Sequence, residues 1–241
     1  MIGFFCSSSV WAADSNTKHV FELFTSQGCY SCPAADELLG EIIDENDDIL
    51  GLEFHVDYWD TLVYGSAGMW KDPFSSPDYS KRQRDYRRLH LAGRPGVYTP
   101  QMVVNGDYAF VGSNKRKAKK QLRRKQGWVF QTSAELSDPE TVTIQVDGNH
   151  KSDADIWLIT YDKRHSTAVT AGENKNKVMN NFNVVRQFES VGKWEGESIS
   201  IEVPIDKLGE NQNCAVIVQQ YSDYRKSISG PILGASICTQ S

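Results

Sequence analysis

The stretch His19–Leu39, HVFELFTSQGCYSCPAADELL, constrains the fold of this chain more than any other. Val20–Phe24 is an apolar run the length of one buried strand. Thr25–Gly28 turns, and a C-x-x-C pair, Cys29 and Cys32, opens a helix. Pro33 suits the first helical turn, where a missing N–H costs little. Leu38, Leu39, Ile42 and Ile43 supply the i, i+3/i+4 stripe that buries such a helix. A cysteine at a helix N-terminus meets the positive end of the helix dipole and unpaired N–H groups, and both favour thiolate. The second cysteine, one turn further in, is placed to close a disulfide on the first. Cys29 is therefore expected to be the more exposed and more acidic thiol, with Cys32 inside the first helical turn. The same pair is also half of a zinc site. Such a site needs two further Cys or His ligands at close spacing, and His19 and His55 are the near candidates. The spacing favours redox use over metal binding or a purely structural bridge.

Strand, turn, CxxC and helix form the opening unit of a thioredoxin-like fold, and the next segments are read on that frame. Ile49–Val56, ILGLEFHV, is a second strand entering Asp57-Tyr58-Trp59-Asp60. Run parallel to the first, it brings its carboxyl end beside the CxxC. Tyr58, Trp59 and Asp60 then flank the cysteines as substrate-binding candidates, with Tyr30 between the cysteines; Trp59 equally suits covering the core. Thr61–Pro77 is a long irregular loop whose Trp70 and Phe74 are candidates for a lid or binding wall. Asp78 serves as N-cap for a helix Tyr79–Leu91, whose Arg82, Arg84, Arg87 and Arg88 read as a solvated face. In Gly96–Gly106, GVYTPQMVVNG, Pro100 starts a strand that runs into Asn105-Gly106, a two-residue hairpin turn. In a thioredoxin-like sheet the residue before such a proline faces the CxxC, so Thr99–Pro100 is expected to be cis and to dock substrate. Only about 5–6% of X–Pro bonds in folded proteins are cis.

Asn114–Gln126, NKRKAKKQLRRKQ, is a strongly basic helix with Ala118 and Leu122 as its apolar stripe. It reads as an exposed last helix that offsets the acidic Asp36–Asp60 half, or as a surface for an acidic partner or anionic lipid. From Gly127 onward the period changes. Thr141–Val146, Ile156–Tyr161, Ser198–Val203, Ala215–Gln220 and Ile232–Ile237 are short β-rich runs, the pattern of an antiparallel β-sandwich. Ala171–Gly196 between them is polar, Asn-rich and without clear period; Glu173, Asn174, Asn183 and Arg186 there line a surface or bond a loop to itself. A hairpin of the last two strands around Tyr221–Gly230, centred near Arg225–Lys226, sets Cys214 opposite Cys238 and predicts a structural disulfide. The resulting division is 1–13 as the remnant of a signal peptide, 18–127 as an α/β thioredoxin-like domain with a helical and loop insertion at about 58–95, and 128–241 as a β-rich, sandwich-like domain.

Ile2–Ala13 is apolar and small-residue-rich with a cleavage-like pattern at Val10–Ala13, though it lacks a basic start. Its removal takes away Cys6 and leaves an even set of four cysteines, which fits an oxidising compartment, periplasmic or secreted. A net charge of −5 gives no general reason to expect nucleic acid, and no apolar run reaches the length of an integral membrane segment.

FELFTSQGCYSCPAAD, HVDYWD, WKDPFSSP, GVYTPQMVVNG, GEN, NVVRQ and GPILGAS occur in that order. Together they resemble a group of bacterial exported proteins of unknown function, described as a thioredoxin-like domain followed by a β-rich one. The resemblance covers nearly the whole chain from His19 to Ser236, and FTSQGCxSCP is also similar to the opening of glutaredoxins. Two departures stand out. Thr61–Met69 is longer than the usual link, and the buried acid that thioredoxin relatives carry beneath the CxxC is here apolar Leu23, with Glu22 the nearest substitute.

These readings converge on a periplasmic thiol–disulfide oxidoreductase. Cys29 attacks as thiolate, Cys32 resolves the mixed disulfide, and Thr99-Pro100 docks an extended substrate; the partners are protein or small-molecule thiols and disulfides, and the chemistry requires no cofactor or metal. A non-catalytic binding module with a structural CxxC, and Cu(I) handling with His55 as an added donor, are the alternatives.

Overall fold

The computed structural model describes residues 17–151, 153–222 and 227–240. The apolar start of the chain and the hairpin centre near Arg225–Lys226 lie outside these residues. Among the described residues the protein is mostly β, with two mixed sheets and three α-helices. In chain order the first elements are β1 (His19–Thr25), α1 (Pro33–Glu45), β2 (Ile49–His55), α2 (Pro77–Arg88), β3 (Ala92–Gly93), β4 (Gln101–Val104), β5 (Tyr108–Val111) and α3 (Lys115–Leu122). They continue as β6 (Gln131–Asp138), β7 (Thr141–Asp147), β8 (Ala154–Ala168), β9 (Val178–Trp194), β10 (Ile199–Pro204), β11 (Gln212–Ser222), β12 (Ser227–Ile237) and β13 (Thr239–Gln240).

One nine-stranded sheet, ordered β12-β11-β8-β9-β2-β1-β4-β5-β3, runs through both halves of the chain. β1 and β2 pair in parallel over their full length, as the βα unit at the start requires. The join between the halves is narrower: β2 meets β9 in parallel at Glu53 opposite Val184. A second sheet, β10-β7-β6-β13, lies apart from it in hydrogen bonding.

Three apolar clusters explain why the layers hold. On one face of the large sheet, Val20, Phe24, Leu52, Phe54, Tyr79, Tyr86, Ile159, Val185 and Ile217 form one core shared by both halves. On the opposite face, α1 and α3 cover Phe21, Leu23, Met102 and Phe110. Further along that strand order, Val142, Ile144 and Val146 of the small sheet meet Ile156, Leu158, Val216 and Val218 of the large one. Alternation along β1 (Phe21 and Leu23 one way, Val20 and Phe24 the other) is what a strand buried on both faces requires.

Several local expectations change. The helix expected over Tyr79–Leu91 starts at Pro77, and its N-cap is Ser76, whose side chain accepts from Asp78 N; Asp78 supplies first-turn charge instead. Its Arg82 is buried, with Nε 2.6 Å from Glu22 Oε1 and the guanidinium 4.4 Å from the Phe188 ring centroid. A solvated face is therefore wrong for that arginine: the buried carboxylate of Glu22 draws it inward. The basic helix shrinks to Lys115–Leu122, capped by Asn114. The largest change is 171–196, which has no clear period in sequence yet contains β9, seventeen residues long. Its period is masked because Asn181 and Asn183 are buried and satisfied by the other half: Asn183 Nδ2 donates to Gly51 O at 2.9 Å, and Asn181 accepts from Gln27.

Two turn readings agree with the structure. Asn105 and Gly106 both have positive φ, 51° and 68°, as the two-residue hairpin demands. Asn105 also accepts from Val20 N and hydrogen-bonds His19, which ties that turn to the start of β1. Thr99–Pro100 is cis. Cys214 and Cys238 form a disulfide, with Cα atoms 5.2 Å apart on the paired strands β11 and β12.

Candidate functional site

Cys29 and Cys32 sit between the carboxyl end of β1 and the start of α1, joined in a disulfide with Cα atoms 5.4 Å apart. The helix begins at Pro33, so Cys32 is its N-cap and not a member of the first turn. Cys29 and Cys32 have relative exposures of 1% and 0%. The expected contrast in exposure is thus absent in the oxidised protein; Tyr30 between them is the exposed residue, at 67%.

The reason lies in the connection between β8 and β9. Its tip folds over the CxxC turn, with Asn174 Nδ2 donating to both Gln27 O and Cys29 O at 2.9 Å. Glu173 Oε2 accepts from Tyr30 N at 2.8 Å. Lys177 Nζ donates to Asn174 Oδ1 and lies 4.5 Å from the Tyr30 ring centroid. A sequence-distant segment therefore closes the site from above.

From the side, Trp59 brings two of the expected groups together. Its Cβ lies 3.2 Å from where a Cβ on Gly28 would sit, and its Nε1 donates to Thr99 Oγ1 at 2.8 Å. A glycine at position 28 thus leaves room for Trp59 Cβ beside the turn. Pro100, buried immediately before β4, accepts from Gly112 N at 2.9 Å. Tyr58 turns toward Gln83, its hydroxyl 3.1 Å from Oε1, and burial pushes its ionisation up to about 12. Asp60 is spent on the loop: its two oxygens accept from Asp72 N and Ser75 Oγ, and burial raises its carboxyl above the usual range. Of the two loop aromatics, Phe74 is packed inside against His55 and His165 and not on a lid surface.

Beneath the disulfide is a buried polar cluster that sequence reasoning largely missed. Asp36, one turn after Cys32 on α1, accepts from Thr25 Oγ1 at 2.6 Å and is fully buried. Burial first, then the charge of Glu53, holds its carboxyl well above the usual carboxylate range. Burial raises Glu53 as well. His55 bridges the cluster, with Nδ1 2.7 Å from Asp72 Oδ2 and Nε2 3.3 Å from Glu53 Oε2. Burial opposes its protonation, but the two carboxylates overcome this and lift it to about 10. His55 in turn keeps Asp72 below its ordinary value despite burial, and Asp72 also accepts from Gln27 N at 2.7 Å. Asp36 Oδ2, Glu53 Oε1, Gln27 Oε1 and Asn181 Nδ2 are buried without a hydrogen-bond partner.

Glu22 is no substitute for an acid at Leu23. It faces the other side of the sheet, where it pairs with Arg82 and accepts from the Tyr86 hydroxyl. The acid on the CxxC side comes from the next strand, because Leu23 pairs in register with Glu53. Two signals pointed there: Asp36 lies four residues after Cys32, and Glu53 and His55 break an otherwise apolar strand two residues apart. Among the described residues, no three His, Cys, Asp or Glu side chains are grouped to hold a metal ion.

Comparison with known proteins places this arrangement in context. A family profile described as "Protein of unknown function (DUF1223)" matches residues 20–219. A crystal structure of a protein from Agrobacterium tumefaciens is similar, at 32% identity and a TM-score of 0.74, covering 93% of this chain and 95% of that one. No curated protein matches the chain.

Proposed function

The chain belongs to this DUF1223 family of proteins of unknown function, and we propose that it is a thiol–disulfide oxidoreductase of an oxidising, periplasmic or secreted setting. In this reading β1, α1, β2, β4 and β5 are a thioredoxin-like unit, and the two sheets of the second half form a sandwich-like body attached to it. The observation that carries the reading is the Cys29–Cys32 bond at the head of α1 with Asp36 buried one turn further along the same helix. A merely structural disulfide has no use for a carboxyl whose burial favours its protonated form on the helix that the pair opens. A redox pair has: its inner thiol must gain and lose a proton where water does not reach.

The exchange balances without a cofactor. A partner thiolate attacks Cys29 Sγ, the bond to Cys32 breaks, and the leaving Cys32 thiolate takes the Asp36 proton. A second partner thiolate then attacks the partner's own sulfur in the mixed disulfide. That releases Cys29 thiolate, stabilised by the N-terminus of α1, and a two-electron-oxidised partner. The reverse direction uses the same groups, Cys29 attacking and Cys32 resolving. Trp59, Thr99 and Pro100 form the wall along which an extended partner would lie.

A second reading keeps the fold but makes the CxxC structural, in a protein or ligand-binding module; near-complete burial of both cysteines favours it. The test is exchange with glutathione disulfide or insulin, together with the reduction potential of the pair. Measurable turnover supports the enzyme. No exchange, with a bridge that resists strong reductant, supports the module.

A further inference from the structure

The connection between β8 and β9 joins two long strands, and its tip reaches beyond the strand ends onto the CxxC turn. We propose that this tip is a clasp in which Asn174 shields the disulfide and Glu173 holds Cys29 back from the thiolate form, so that exchange requires the tip to lift. The inference rests on the oxidoreductase reading and names the control of that same site.

Three observations carry it. First, the contacts are specific to the cysteine turn: Asn174, fully buried, donates to the carbonyls of Gln27 and Cys29, and Glu173 takes the amide of Tyr30. That amide follows Cys29 directly and belongs to the set of N–H groups that would otherwise favour its thiolate. A carboxylate there removes a donor and adds a like charge. Second, the tip has one anchor outside the cysteine turn, Gly172 N donating to Ala67 O at 3.0 Å, and its Glu173 bond to Tyr30 N is exposed to solvent. An exposed polar bond of this kind contributes little and opens locally at low cost. Third, the tip is preformed. Gly172 and Asn176 adopt φ of 71° and 68°, and Asn176 N donates to Val169 O at 2.8 Å. A rigid tip lifts as a unit and leaves the sheet intact.

The charged and titratable surroundings of Cys29 are Glu173 and Lys177 from the tip, and Asp36, Glu53, His55 and Asp72 from below, along with the head of α1. Lys177 opposes Glu173, since its ammonium sits over Tyr30 and bonds Asn174.

Two variants separate shielding from charge. In Asn174→Ala, reduction of the Cys29–Cys32 bond by dithiothreitol should quicken about tenfold at every pH. In Glu173→Gln, the pH profile of iodoacetamide alkylation of Cys29, read by mass spectrometry in reduced protein, should move about half a unit to one unit lower. That corresponds to about three- to tenfold faster alkylation at neutral pH. Lys177→Gln should move the profile the other way. An unchanged reduction rate in Asn174→Ala, or an unmoved profile in Glu173→Gln, overturns the clasp. These readings need no partner protein, so a chain that fails to exchange with glutathione or insulin but shows both shifts would sink the enzyme and keep the clasp.

Discussion

The two disulfides among the described residues are both buried and sit in opposite surroundings. Cys214 and Cys238 join neighbouring strands inside an apolar cluster with Phe130, Val142, Ile144 and Leu233. Their backbones are already bonded, Cys238 N to Cys214 O at 2.9 Å. Cys29 and Cys32 lie in a turn at a helix head, above Asp36, Glu53, His55 and Asp72 and below Glu173, Asn174 and Lys177. A thiolate at Cys214 would be an unpaired charge among hydrocarbon, which is costly. A thiolate at Cys29 would meet helix N–H groups, and Asp36, its carboxyl raised by burial, lies one turn after Cys32 on the same helix. Burial is therefore common to both bridges, and the redox role proposed for Cys29–Cys32 rests on the groups around the sulfurs.

The comparison breaks most completely at the first bridge. Cys29→Ser is expected to abolish exchange with glutathione disulfide or insulin, while Cys32→Ser accumulates mixed disulfides on Cys29, seen as added mass. Residual turnover in Cys29→Ser would remove the functional distinction between the two bridges.

At the second bridge the effect should fall on stability alone. Replacing Cys214 and Cys238 together by Ala opens a loop with a sequence separation of 24 and should cost about 3 kcal/mol in urea unfolding, with exchange unchanged. A loss of exchange at preserved fold would mean the bridges are coupled.

Titration sharpens the contrast further, because a buried cluster of ionisable groups, Asp36, Glu53, His55 and Asp72, lies by the first bridge while the second sits in an apolar cluster. His55 is raised from 6.5 to about 10, so its contribution is fully present below pH 6.5 and is lost as pH rises toward 10. Asp36 and Glu53, also raised, act with the same sign, while Asp72, lowered, stabilises above its unfolded value and gives nothing back in this window. Stability should fall by about 2 kcal/mol between pH 6.5 and about pH 9. The fall should be smaller in His55→Gln and intact in the variant lacking the second bridge. A flat wild-type profile would show that the cluster does not hold His55 protonated.

The smallest expected change is at Asp36. Asp36→Asn keeps the shape and the Thr25 bond but cannot deliver a proton, so exchange at neutral pH should slow about tenfold, about 1.4 kcal/mol of barrier. The loss stays modest because a thiolate is a good leaving group that needs limited help. An unchanged rate and pH profile would assign Asp36 to packing.

Much of the site was legible in sequence because it is local. The head of a helix after a short strand follows from Val20–Phe24, Pro33 and the Leu38–Ile43 stripe, all within one βα unit. Asn105-Gly106 was legible for the same reason, since a two-residue turn with both φ positive admits few residue pairs. The Cys214–Cys238 pairing was legible because its strands are consecutive and the hairpin sets the register.

What stayed hidden depends on partners far along the chain. Arg82 looked solvated because nothing in α2 announces Glu22, sixty residues earlier. β9 looked irregular because its buried asparagines answer to Gln27 and Gly51 and not to an apolar face. Sequence by itself thus determined the CxxC at a helix head, the hairpin after Pro100 and the second disulfide, since short-range backbone geometry and side-chain period set each of them. Only the tertiary structure decided that one sheet unites both halves and that four buried ionisable groups converge under the cysteines. It alone decided, too, that a tip from residues 169–177 covers them. Long-range strand pairing and the electrostatics of burial depend on which segments meet in space, and no local pattern encodes that meeting.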